Sequence, residues 1–124
     1  MGGIIEIALR PFTEYAAGIA TVNLSDEALH AAKRCLIDWF VSVLPGGLQP
    51  LATLLILAYA DPIGSRGGSG GAGLYPSGQR TDPRTVNLIN GAAVHTIEFD
   101  EIYRDFLYHL GAPVISAASV DNRD

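Results

Sequence analysis

The apolar positions along this chain recur at helical steps. Leu29, Ala32, Leu36, Phe40 and Val43 follow one another at intervals of three and four, with Ala28, Ala31, Cys35 and Trp39 as a second stripe beside them. Two stripes on adjacent faces predict a helix buried against several neighbours. Ser25 supplies an N-cap, and Asp26 and Glu27 complement the dipole in the first turn. The run Pro45-Gly46-Gly47 ends the helix. Residues 50–60 are Leu- and Ala-rich and long for a strand, which predicts a third, buried helix. Before these, Pro11 suits a first helical turn and predicts a helix over 12–20. Residues 4–9 alternate and are compatible with a short strand. After them, residues 61–81 read as a Gly-, Ser- and Pro-rich loop. Asp82-Pro83 then starts a fourth helix, with an N-cap followed by Pro at the first helical position. Its core face is Val86, Ile89, Ala93 and Ile97. Residues 103–111 read as irregular, and Pro113 opens a last helix through Val120. The expected fold class is all-α, with no sheet of three or more strands.

Composition narrows the function classes. At 124 residues the chain suits one domain with a moderate core. The net charge of −5 and the lack of a basic cluster argue against a nucleic-acid partner. The single cysteine, Cys35, excludes an internal disulfide and fits a reducing, cytoplasmic compartment. It reads as a small buried hydrophobe. No basic segment followed by an apolar stretch opens the chain, so no signal peptide is read there. The run at 51–60 is too short to span a bilayer, and no membrane partner is expected.

Chemistry gathers in residues 90–114. His95 and His109 lie there, with Glu98, Asp100, Glu101 and Asp105 between them. Imidazoles and carboxylates beside apolar helix signals are the material of acid–base catalysis or of metal binding. His95 and Glu98, at i and i+3, share a face if the helix persists, and Ile102 continues that face. His109 precedes Gly111-Ala112-Pro113 in a loop setting that suits a cleft. The bland readings are a helix-end histidine for His95 and a surface histidine for His109. His-x-x-Glu with His109 also offers three metal ligands. Gly68–Gly73 matches GxGxxG, but a Leu/Ala helix precedes it and a turn-like stretch follows, so it reads as a loop. Asp38, inside an apolar helix, reads as structural.

The order of three blocks resembles the MmgE/PrpD family, which includes 2-methylcitrate dehydratase, cis-aconitate decarboxylase and iminodisuccinate epimerase. Residues 24–46, LSDEALHAAKRCLIDWFVSVLPG, are similar to the family's second helix with its acid at Asp38. Residues 87–100, NLINGAAVHTIEFD, are similar to its Asn-Gly, His and acid-Phe-Asp-Asp block. Residues 109–115, HLGAPVI, are similar to its His-Pro-Gly-Ala-Pro block. Leu110 stands for the family proline and Glu101 for the second Asp of the acidic run.

The resemblance implies the N-terminal part of a large helical domain, over residues 1–124, whose partner lid domain is absent. It implies a lyase or isomerase that abstracts a proton next to a carboxylate in a small di- or tricarboxylate, as a 2-methylcitrate dehydratase does. It implies no cofactor, and a homodimer for the full-length protein. Catalytic candidates are Glu98, His109, Asp100 and His95. Substrate-binding candidates are Ile102, standing where the decarboxylase branch carries a hydroxyl residue, and Arg104, which like Arg80 is offered only by its charge. The lysine and a further histidine of that branch fall beyond Asp124. The polar tail departs from the family's Ala-rich helix, so a truncated reading frame, inactive by itself, is expected. Two rival readings are a non-catalytic helical remnant and a small carboxylate/histidine metal-binding protein.

Overall fold

The computed structural model describes residues 2–19, 22–60, 71–98, 100, 102 and 109–120, with side chains from residue 8 onward. The regular elements among the described residues are helices, apart from one two-stranded hairpin. In chain order they form α1 (Gly2–Ile19), α2 (Asp26–Gly46), α3 (Pro50–Tyr59), β1 (Ala72–Gly73), β2 (Arg80–Thr81), α4 (Pro83–Thr96) and α5 (Gly111–Ser119). By contacts the chain divides into residues 1–31 and 32–124.

In the first unit, α1 begins nine residues before Pro11 and carries that proline inside it. The expected start at Pro11 and the alternating strand over 4–9 are therefore both corrected. Proline removes one N–H donor, which a helix can lose without ending. Arg10 and Glu14 form an exposed i, i+4 ion pair at 2.7 Å across it. Phe12 and Tyr15 are exposed. Ser25 caps α2 as expected, its Oγ accepting from the Ala28 N–H at 3.2 Å.

In the second unit α4 is the element around which the rest packs, with α3, α5 and the hairpin all against it. One core cluster joins Trp39 and Val43 of α2, Ala52 of α3, Ala93 and Val94 of α4 and Ala112 of α5. A second joins Ala72 and Leu74 of the hairpin to Val86 and Ile89 of α4. The face predicted for α4 is the one it buries, with Asn90 and Val94 added and Ile97 half-buried. Trp39 sits edge-on to Phe40 and Tyr75, and its indole N–H donates to Ser116 Oγ at 3.0 Å. That bond ties α2 to α5 and satisfies a donor that burial would otherwise strand. Gly46 lies so close to α4 that a methyl group there would fall on the Ala93 carbonyl oxygen. Glycine lets the two backbones meet.

Two buried-helix expectations are corrected. Of α2, Trp39, Ser42, Val43 and Gly46 are buried, whereas Leu36 and Phe40 of the first predicted stripe remain exposed. Of α3, Ala52 is buried and Leu55 and Ile56 are partly so, but Leu51, Leu54 and Leu57 are exposed. Composition marks α3 as apolar all round, yet it packs on α4 along one face only. Among the described residues no single helix is long and apolar enough to cross a membrane, and α2 and α3 taken together are bent by 80°.

The Gly-rich segment is more structured than a loop at its C-terminal end. β1 and β2 pair antiparallel, with Ala72 opposite Thr81 and Gly73 opposite Arg80. The turn between them uses Gly78 at φ 71° and a cis Tyr75-Pro76 bond. Arg80 donates from its guanidinium to the Gly71 carbonyl. Asn90 clamps this hairpin to α4: its Oδ1 accepts from the Tyr75 N–H at 3.2 Å and its Nδ2 donates to the Gly73 carbonyl at 3.1 Å. Strands of two residues leave too short an alternation to be read from sequence. Of the GxGxxG stretch, Gly68–Gly70 lie outside the described residues, and Ala72-Gly73 form β1.

Candidate functional site

The site grows from the C-terminal end of α4 and the start of α5. α4 stops at Thr96, and Ile97 is its C-cap. The next residue, Glu98, is left-handed at φ 58°, and its N–H reaches back to the His95 carbonyl at 3.3 Å. This is the position a glycine usually takes after a helix, and a side chain there costs on the order of 1 kcal/mol. The shared helical face predicted for His95 and Glu98 therefore does not form, because the helix ends between them. Glu98 is exposed.

The left-handed step turns the chain so that Asp100 is buried, its side chain 1% exposed. Its carboxylate Oδ2 lies 3.2 Å from His109 Nδ1 and 3.8 Å from His95 Nδ1. The two rings meet edge-on with centroids 4.8 Å apart. The 3.2 Å approach has ion-pair distance but lacks the direction of a hydrogen bond. Asp100 Oδ1, Asp100 Oδ2 and His109 Nδ1 are buried and make no hydrogen bond among the described residues. The imidazoles differ in access, the His95 side chain being 53% exposed and that of His109 22%.

Both rings line a cleft of about 550 Å³ whose other walls are Asn87, Leu88, Gly91 and Ala92 of α4 and Ala112 and Pro113 of α5. Asn87, Gly91 and His95 stand four residues apart, so they share one helix face. Leu88 and Ala92 form the row beside it. That spacing was available in the sequence, but no titratable group marks it before His95. α5 begins at Gly111 with Leu110 as its N-cap, and among the described residues no side chain caps its first turn. The amide end of the helix lies beside the cleft.

The chemistry-bearing candidates divide accordingly. His95, Asp100 and His109 are brought together. Glu98 and Ile102 are exposed and are not among the residues lining this cleft. Arg104, Glu101 and Asp105 lie outside the described residues. Arg80 is engaged with Gly71 in the hairpin. Cys35 and Asp38 are half-buried on α2.

A family model described as the MmgE/PrpD N-terminal domain matches residues 10–119. The chain belongs to the MmgE/PrpD family. The match covers all three sequence blocks, and the trio and its cleft lie within it. No curated protein and no solved structure matches the chain.

Proposed function

We propose that this MmgE/PrpD domain is part of a lyase or isomerase that takes a proton from carbon next to a carboxylate in a small di- or tricarboxylate, in the manner of a 2-methylcitrate dehydratase. The observation that carries this reading is the buried Asp100 carboxylate set between two imidazoles at the wall of a cleft. His109 acts as the base. Taking up a proton makes its ring cationic, and the adjacent carboxylate, held away from water, favours that cation. His95, more open to solvent, exchanges the proton or contacts a second carboxylate of the substrate.

Charge that develops on the substrate needs compensation. Among the described residues no Lys or Arg lines the cleft. The first turn of α5 offers backbone N–H groups and the positive end of a helix dipole to a substrate carboxylate. Leu88, Ala92, Ala112 and Pro113 supply an apolar wall that limits water around the reacting carbon. Further groups of the full-length family protein complete the site. The proposal includes a homodimeric full-length protein in the cytoplasm.

The test is thermal unfolding of the chain with citrate, 2-methylcitrate or cis-aconitate at millimolar concentration, with products followed by mass spectrometry. At least one of these raises Tm in the wild type and not in His109→Ala, while the 124 residues alone give no turnover. The same shift in both proteins, or no shift with any of them, would overturn the reading.

A further inference from the structure

We propose that His95, Asp100 and His109 form a three-ligand site for a divalent transition-metal ion of the zinc class. One ligand atom from each residue lies within 4.8 Å of the other two. The Asp100 oxygen is 3.2 Å from one Nδ1 and 3.8 Å from the other. Zinc–nitrogen and zinc–oxygen bonds of about 2.0–2.2 Å at a tetrahedral angle set neighbouring ligand atoms roughly 3.3–3.5 Å apart. The two carboxylate–imidazole separations bracket that spacing, and the remaining pair, within 4.8 Å, closes to it by rotation of the more exposed His95 ring.

A second observation points to a ligand independently of the spacing. Both Asp100 oxygens and His109 Nδ1 are buried, and none of the three makes a hydrogen bond among the described residues. Buried polar atoms are costly unless paired, and a buried carboxylate most of all. A proton shared between Asp100 and His109 serves one oxygen and one nitrogen, and the contact lacks the alignment for it. A cation bound by all three residues serves His109 Nδ1 and the carboxylate together and neutralises the buried charge. Two imidazoles with one carboxylate suit zinc and its first-row neighbours, whereas magnesium and calcium prefer all-oxygen shells.

Three protein ligands leave a fourth position for water or an anionic ligand, and both histidines line the cleft from which it would enter. This site rests on geometry and burial and does not require the lyase reading. Metal loading and proton transfer draw on the same imidazoles, so the two states exclude each other.

The experiment is titration of the metal-free, untagged chain with zinc by calorimetry and with cobalt by visible absorption. One ion binds per chain, and cobalt gives the intense bands of a four-coordinate site. His95→Ala and His109→Ala each weaken binding by about 100-fold or more, since even the loss of an outer-shell partner costs 10–100-fold. His30→Ala, outside the trio, leaves binding unchanged. Asp100→Asn alters a buried group, so His95→Ala, at a half-exposed ring and checked for helicity by circular dichroism, carries the argument. No stoichiometric binding by the wild type at a molar excess of metal overturns the proposal. So does binding that His95→Ala and His109→Ala leave intact.

Discussion

At its N-terminal end α4 starts as local chemistry dictates. Asp82 Oδ1 accepts from the N–H groups of Arg84 and Thr85, both at 3.1 Å, and Pro83 occupies the first turn where its missing N–H costs nothing. At the other end of the same 14-residue helix, local preference is overridden. Glutamate takes a left-handed position suited to glycine, and two residues on a carboxylate is buried without a hydrogen-bond partner among the described residues. The first end stabilises the fold. The second gives up stability to hold a carboxylate against two imidazoles, the kind of departure that supports the proposed role of this end.

The sharpest test of this contrast separates activity from stability. In a full-length relative, replacing the histidine that aligns with His109 by Ala lowers kcat/KM by roughly 100- to 10,000-fold, the span of general acid–base contributions. Stability falls by roughly 1–3 kcal/mol, because the ring is mostly buried and its removal leaves the Asp100 carboxylate without its neighbour. Turnover and denaturation midpoint, measured on the same preparation, decide it. Equal loss of both would make the C-terminal end structural too.

Asn90, midway along α4, belongs with the stabilising end. Asn90→Ala removes a fully buried amide and orphans the Tyr75 N–H and the Gly73 carbonyl together. The expected loss in urea unfolding is about 2–4 kcal/mol, from two backbone groups at roughly 1–3 kcal/mol each, reduced because both residues are half-buried. A loss below about 1 kcal/mol would mean that the hairpin is not held by this clamp.

The same division explains what could be read in advance. The start of α4, its core stripe at Val86, Ile89 and Ala93, and the Ser25 cap are decided within a few residues, so spacing and residue type suffice. The Asp100–His109 meeting joins positions nine apart through a chain reversal at Glu98, and no periodic pattern encodes that step. His95 and Glu98 illustrate the failure. Their i, i+3 spacing has meaning only while a helix lasts, and α4 ends at Thr96. Asn90 was legible as part of an Asn-Gly pair within a family block, but its grip on Gly73 and Tyr75 depends on a hairpin too short to announce itself. For α3, composition predicted burial, whereas burial depends on which neighbours pack against each face.

The cap gives a smaller effect with a pH signature. Hydrogen bonds from Thr85, side chain first and backbone second, hold the Asp82 carboxyl below the usual aspartate range. A carboxyl whose pKa is lower folded than unfolded stabilises the protein above its unfolded pKa, and that contribution fades as pH falls through the folded value. Asp82→Ala therefore costs about 1 kcal/mol at neutral pH, the usual worth of an N-cap. The difference between wild type and variant shrinks in acid below the ordinary aspartate range. Denaturation midpoints across that interval test it, and a difference that grew in acid would reverse the assigned sign.

Glu98 gives the smallest expected effect and bears directly on the unpaired end of α4. Its φ of 58° is a conformation that glycine adopts freely and other residues adopt under strain. Glu98→Gly relieves that strain but adds freedom to the unfolded chain, so the net gain is a few tenths to about 1 kcal/mol. Glu98→Ala keeps the strain and gains nothing. The pair of variants thus isolates the backbone from the side chain, and a gain shared by both would assign the effect to loss of the carboxylate. The same proteins decide the role that the family motif implies for this acid. Glu98 is exposed and does not line the cleft, so Glu98→Gly preserves the ligand-dependent rise in Tm that His109→Ala removes. Loss of that rise in Glu98→Gly, with the fold intact, would mean that the acid swings into the cleft when ligand binds. The strained turn would then be the hinge that carries it.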